Sequence, residues 1–132
     1  MQQFGAPVDD ALISDQAANP ENAFRVASIM LTRPDRPTAI IAGAMANLSG
    51  VLRAANALDL RIPRDLSVIA GSDSELAELA SPGITCVRWD VSQWGKVAAQ
   101  MLLERIDQPG TPAGRVVSIP TELVVRTSCG PV

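Results

Sequence analysis

A carboxylate placed directly after a buried strand must be paired, solvated or turned onto a ligand hydroxyl, because leaving it alone in an apolar setting is too costly. Asp73 holds such a position, just past the apolar run Leu66–Ala70 and the turn Gly71-Ser72. It reads either as the N-cap of a short helix beginning near Glu75 or as a polar anchor for a ligand. Trp89 follows another apolar run. Its ring either stacks on the apolar face of a sugar or base, or packs between structural units. Gly43 follows a third run, where a glycine more often serves turn geometry, since it supplies a positive φ without strain. Ser72 and Ser74 are not nucleophiles on this reading. The chain contains no His at all, and an activated serine needs a base beside it. No phosphate-cradling GxGxxG follows the first strand either. With no base–nucleophile pair, the chain is read as a non-enzyme.

These residues need strands that end together. Asn19-Pro20-Glu21 supplies a cap, a proline for the first helical position and a first-turn acid. Ala23, Val26, Ala27, Met30 and Leu31 then follow the spacing of one buried helix face, and Pro34 and Pro37 end it. Thr38–Ala42 and Leu66–Ala70 are unbroken apolar runs, the pattern of strands covered on both sides in a parallel sheet. Between them Leu48, Val51, Leu52 and Ala55 mark a second amphipathic helix, giving a βαβ unit of right-handed connection. A short acidic helix over Glu75–Leu79 and a strand over Ile84–Arg88 come next. Asp90 and Gln93 form a capping box for the longest helix, in which Trp94, Val97, Ala98, Met101, Leu102 and Ile106 share one face. Pro109-Gly110-Thr111-Pro112 breaks it, and extended runs at Arg115–Ile119 and Glu122–Arg126 close the chain. Alternating strands and helices predict an α/β fold, an open, mostly parallel sheet with helices on both faces. Ligands bind such sheets at the carboxyl ends of the strands, where Gly43-Ala44, Gly71–Ser74 and Trp89-Asp90 all fall.

The chain of 132 residues is long enough for one domain with a working core, and 47% hydrophobic against 19% charged residues opposes disorder. A formal charge of −3, with a single Lys and scattered Arg, opposes a nucleic-acid surface. Cys86 and Cys129 are read as reduced thiols, a bridge between them being the lesser alternative. No metal or cofactor is implied. The start shows no signal peptide, and no stretch reaches the roughly 20 apolar residues that span a bilayer. The expectation is a cytoplasmic chain without membrane contact.

Four segments occur in one order: Arg33-Pro34-Asp35-Arg36-Pro37-Thr38-Ala39-Ile40, Leu60-Arg61-Ile62-Pro63-Arg64-Asp65-Leu66-Ser67-Val68-Ile69-Ala70-Gly71, Ile84-Thr85-Cys86-Val87-Arg88 and Pro120-Thr121-Glu122-Leu123-Val124-Val125-Arg126. Together they resemble the effector domain of LacI/GalR-type transcriptional regulators, with the second and fourth segments carrying most of the likeness. The resemblance implies a periplasmic-binding-protein-like fold of type I, built of two α/β subdomains. It also implies a small-molecule effector, a sugar or related metabolite, in the cleft, a homodimer, and DNA contacts made only by an N-terminal domain absent here.

On that likeness residues 1–88 are the first part of the C-terminal effector subdomain. Residues 89–114 are a crossover helix and turn normally packed on a missing N-terminal subdomain, and 115–132 are the return strands. The effector site then comprises Asp73, Trp89, Ser72 and Gly43. The dimer interface comprises Leu48, Val51, Leu52, Leu76 and Leu79, and Trp94, Val97, Met101 and Leu102 form a helix face covered by a partner. The chain departs from the family where Gly43-Ala44 replaces an Asn-Asp pair, Ala18 replaces an aromatic, Gly71-Ser72-Asp73-Ser74 replaces Gly-Phe-Asp-Asp and Trp89 replaces Gln. The competing reading is a solute-binding protein of a transporter, which shares the fold but not, as a rule, the Thr-Glu-Leu-Val-Val-Arg ending.

Overall fold

The computed structural model describes residues 9–15, 19–108, 110 and 114–131. After a short 3-10 turn at Asp10–Leu12, the elements are α1 (Pro20–Leu31), β1 (Ala39–Ala42), α2 (Met45–Ala57), β2 (Ser67–Ala70), α3 (Glu75–Leu79), β3 (Thr85–Trp89), α4 (Val91–Asp107) and β4 (Thr121–Val124). The sheet runs β1-β2-β3-β4, with β1, β2 and β3 parallel and β4 antiparallel to β3. An open, mostly parallel α/β sheet is what the alternation of apolar runs and amphipathic segments demands.

Local chemistry explains the ends of the elements. The Asn19 side chain accepts from the Asn22 N–H at 2.9 Å, with Pro20 opening α1, and the Asp90 carboxylate accepts from the Gln93 N–H at 2.9 Å to start α4. At the end of α2 the Asp59 N–H donates to the Asn56 carbonyl and the Leu60 N–H to the Ala55 carbonyl, with Asp59 at φ 54°. This is the Schellman arrangement, which needs a left-handed residue at the first position past the cap. Ahead of β2, Asp65 closes the Arg61–Asp65 turn by accepting from the Arg61 N–H at 3.0 Å.

The core lies on one face of the sheet. Ala42, Val68, Ala70 and Cys86, which share a side by register, are buried with Leu48, Val51, Ala54 and Ala55 of α2, Ala27 and Leu31 of α1 and Ala77 of α3. Gly50 makes the α1–α2 crossing possible, since a Cβ there would meet Ala23, the Phe24 nitrogen and the Pro20 carbonyl. Leu48 and Val51, expected at a dimer surface, are 1% and 5% exposed and belong to this core. Leu52 is half-buried against it. The reason is that the α2 stripe faces the sheet and α1, which cover all of it but part of Leu52.

The final strand is shifted from expectation. Residues 115–119 take up no strand pairing, and β4 stops at Val124. Arg126 turns its N–H to the Thr85 hydroxyl at 3.0 Å, and Ser128 enters the lower gap between β2 and β3. There the Ser128 hydroxyl donates to the Val68 carbonyl at 2.6 Å and accepts from the Thr85 N–H at 2.8 Å. Both cysteines are free thiols. No helix among the described residues is long and apolar enough to cross a membrane.

Candidate functional site

The three parallel strands end at one edge of the sheet, and each hands over to a polar or glycine-containing turn. Gly71 sits so close to Gly43 that a Cβ would strike the Gly43 backbone, and its N–H donates to the Ala42 carbonyl at 2.8 Å. The ends of β1 and β2 are thus drawn together where no side chain intervenes. Gly43 itself faces open space, with nothing within 4 Å of a Cβ placed on it.

Asp73 is the hub of the next step outward. Its Oδ2 accepts from Arg88 Nε at 2.9 Å and Nη2 at 2.7 Å, and its Oδ1 accepts from Arg126 Nη2 at 2.9 Å. The Arg88 guanidinium first, then the buried Cys86 thiol and the Arg126 guanidinium, hold its carboxyl well below the usual carboxylate range. Burial first, and then the hydrogen bond to the Asp73 carboxylate, push the Cys86 thiol up, which keeps it a neutral thiol. Arg126 also donates to the Ile84 carbonyl at 2.8 Å and to Cys86 Sγ at 3.1 Å. One side chain therefore ties β3, the β2–α3 turn and the segment past β4 together.

The N-cap role considered for Asp73 falls instead to Ser74, whose hydroxyl accepts from the Ala77 N–H at 3.2 Å. The physical reason is competition: two guanidinium partners hold the carboxylate more strongly than one helix N–H. Ser72 lies half-buried beside it. Trp89 is half-buried at the end of β3, its ring edge-on to Trp94 at 5.1 Å between centroids. With Arg88, Asp90, Pro120, Thr121 and Glu122 it borders a recess of about 320 Å³.

Gly43, Ser72, Asp73 and Trp89 thus all lie at the carboxyl ends of the parallel strands, but of the four only Trp89 borders this recess. A larger recess, about 690 Å³, lies along the outer side of β1 between α1, α2 and residues 12–14. Asn47, at its wall, carries the one buried side-chain oxygen without a partner among the described residues.

Sequence reasoning missed the parts played by Arg88, Arg126, Ser128 and Asn47. Arg126 closes the Thr-Glu-Leu-Val-Val-Arg segment, so its signal was a cation at the end of a strand pattern, two residues beyond a core-facing Val124. Ser128 gave no signal, because its partners are backbone groups far away in sequence. Leu76 and Leu79 lie 41% and 73% exposed on α3. On α4, Trp94 and Leu102 are 55% and 60% exposed, and Val97 and Met101 are half-buried. Ala18 lies outside the described residues. Among those residues, no group of three or more His, Cys, Asp or Glu is placed to hold a metal ion.

The periplasmic binding protein-like domain profile matches residues 3–129. A LacI family transcriptional regulator from Bifidobacterium animalis is 32% identical with a TM-score of 0.76, over 86% of this chain and 41% of that one. The transcriptional regulator CelR in complex with cellobiose is 30% identical with a TM-score of 0.84, over 96% and 38%. A LacI family regulator from an Arthrobacter species in complex with lactose is 28% identical with a TM-score of 0.71, over 86% and 42%. The chain spans about two fifths of the length of these structures. No curated protein sequence matches it. With the open sheet, its strand-end turns and the profile over nearly the whole chain in agreement, the chain belongs to the periplasmic binding protein-like domain family and matches the effector-domain fold of LacI/GalR-type regulators.

Proposed function

We propose that this chain is the C-terminal part of a sugar-sensing effector domain in a LacI/GalR-type transcriptional regulator. The reading is supported by the position of Gly43, Ser72, Asp73 and Trp89 at the carboxyl ends of the three parallel strands, the edge at which open α/β sheets bind ligands. Cellobiose and lactose in two of the similar regulators support a sugar as the effector class. Trp89 supplies a ring for the apolar face of a pyranose. Asp73 supplies a carboxylate whose remaining lone pairs accept sugar hydroxyls, while Arg88 and Arg126 keep it ionised. Gly43 leaves room for the ligand. No bond is made or broken: effector occupancy shifts the balance between two arrangements of the regulator, and DNA is contacted by another domain.

In that regulator residues 1–88 and 115–132 serve the C-terminal subdomain, and 89–114 cross over to a second one. The exposed Leu76 and Leu79 of α3 are the proposed contribution to a regulator dimer. Such a protein works in the cytoplasm. The transporter reading loses ground, because the similar structures are regulators.

The test is an amide NMR titration of the 132-residue chain with a panel of mono- and disaccharides, which registers even millimolar binding to one side of a cleft. The expected shifts cluster at Gly43, Gly71–Asp73, Trp89 and Thr121. Shifts confined to other regions, or none with any sugar, would overturn the proposal.

A further inference from the structure

By register Arg88 of β3 stands opposite Glu122 of β4. Opposite charges so placed across antiparallel strands ordinarily meet. Here they stop short. Asp73 takes Arg88 Nε at 2.9 Å and Nη2 at 2.7 Å, and because the guanidinium is a rigid plane its third nitrogen is fixed along with these two. That nitrogen, Nη1, lies 3.9 Å from Glu122 Oε2, beyond hydrogen-bonding distance. Both side chains border the recess of about 320 Å³ at the end of β3, which Trp89 and Thr121 also line. The recess therefore holds a fixed donor and an acceptor that do not satisfy each other, beside an aromatic ring.

We infer that Arg88 and Glu122 are specificity-determining residues of the effector site, and that one hydroxyl of an uncharged sugar bridges them. The inference rests on the sugar-sensing reading above and adds the charge of the sugar to it. A hydroxyl both accepts and donates. It takes an N–H from Arg88 Nη1 and donates its O–H to Glu122 Oε2, closing a gap too wide for a direct hydrogen bond.

Charged substituents fail at this pair. An arginine in a recess ordinarily selects an anion, but this guanidinium is already matched by Asp73. A sugar carboxylate only accepts, and it would meet Glu122 and also Asp90, the α4 cap that borders the same recess. An ammonium only donates, and it would leave Nη1 without an acceptor while sitting against another cation. Arg88 and Trp89 are consecutive residues on one recess, so a single pyranose reaches both the bridge and the ring. Trp94, edge-on at 5.1 Å, backs that ring. Asp73 thereby acts here as a positioning residue as well, since it holds the guanidinium that offers Nη1.

The experiment is an NMR titration of the 132-residue chain with glucose, galactose, cellobiose and lactose, and beside them glucuronate, galacturonate and glucosamine. Uncharged sugars are expected to move the Arg88 guanidinium signals together with the Trp89 amide, and charged ones to bind roughly fivefold or more weakly, the scale of one lost hydrogen bond. Glu122→Gln keeps an acceptor and removes the charge, so the preference for uncharged sugars over uronates is expected to shrink. Arg88→Lys keeps a cation for Asp73 but loses the fixed Nη1, and is expected to weaken uncharged sugars by a similar factor. Because that change also disturbs Asp73, the guanidinium signals of the original chain separate lost contact from lost fold. An uncharged sugar that moves Trp89 but not the Arg88 guanidinium, or a charged sugar bound as tightly, would overturn this inference and leave the sugar-sensing reading standing. Binding by none of the sugars would overturn both.

Discussion

Asp73 is held by guanidinium groups from β3 and from the segment past β4, both within hydrogen-bonding distance. Its side chain is only one-fifth exposed and that of Arg126 less, so removing the charge leaves a half-buried cation unmatched. Asp73→Asn is therefore expected to lower stability at neutral pH by about 1–3 kcal/mol, the range for a charge-assisted hydrogen bond. The pH dependence has a definite sign. The folded carboxyl sits below its ordinary value of 3.8, so the unfolded chain takes up the proton first as acid is added. The stabilisation is complete above that ordinary value and is lost as pH falls from it toward the depressed folded value. In urea titrations the gap between the original chain and Asp73→Asn is expected to be constant from pH 7 to 5 and to narrow below pH 4. A gap that stays unchanged below pH 4 would mean that the ion pairs contribute nothing to stability. The sequence pointed to Asp73 because a carboxylate after a buried strand needs a partner. It could not name Arg88 or Arg126, since the pairing depends on side-chain direction across three separate segments.

At the scale of elements, start and stop signals were the most legible feature, because capping is local. Asn19 and Asp90 cap α1 and α4 through N–H groups three residues away. The end of α2 shows the same economy with one imperfect choice: Asp59 occupies the left-handed position at φ 54°, where glycine carries no steric cost. Asp59→Gly is expected to raise stability by roughly 0.5–1 kcal/mol, seen as a higher thermal midpoint, with the two Schellman hydrogen bonds retained. A lower midpoint would show that chain freedom gained in the unfolded state outweighs the relief. The β4 boundary was less legible. A pattern of extended residues states that a strand is possible, whereas its ends depend on which neighbour offers free backbone groups. Thr85 and Ser128 drew the chain away after Val124 by offering side-chain partners instead.

The whole molecule is acidic on balance, with 14 Asp and Glu against 11 Lys and Arg, and several arginines are already paired with carboxylates. Specific DNA affinity from this chain alone is not expected, since phosphate contacts need unpaired cations gathered on one face. A gel shift at low salt is expected to show no sequence-dependent retardation, and submicromolar retardation on one operator but not on scrambled DNA would contradict this. The alternation of apolar runs with amphipathic helices by itself determined the α/β class, the three parallel strands and the edge at which their turns meet, because each is dictated by local periodicity and chain connectivity. Tertiary structure alone decided that Leu48 and Val51 are interior and that Asp73 is doubly paired. Periodicity says that a surface is apolar. Which surface covers it depends on the count of elements packed around the sheet, a property of the assembled molecule that no local pattern encodes.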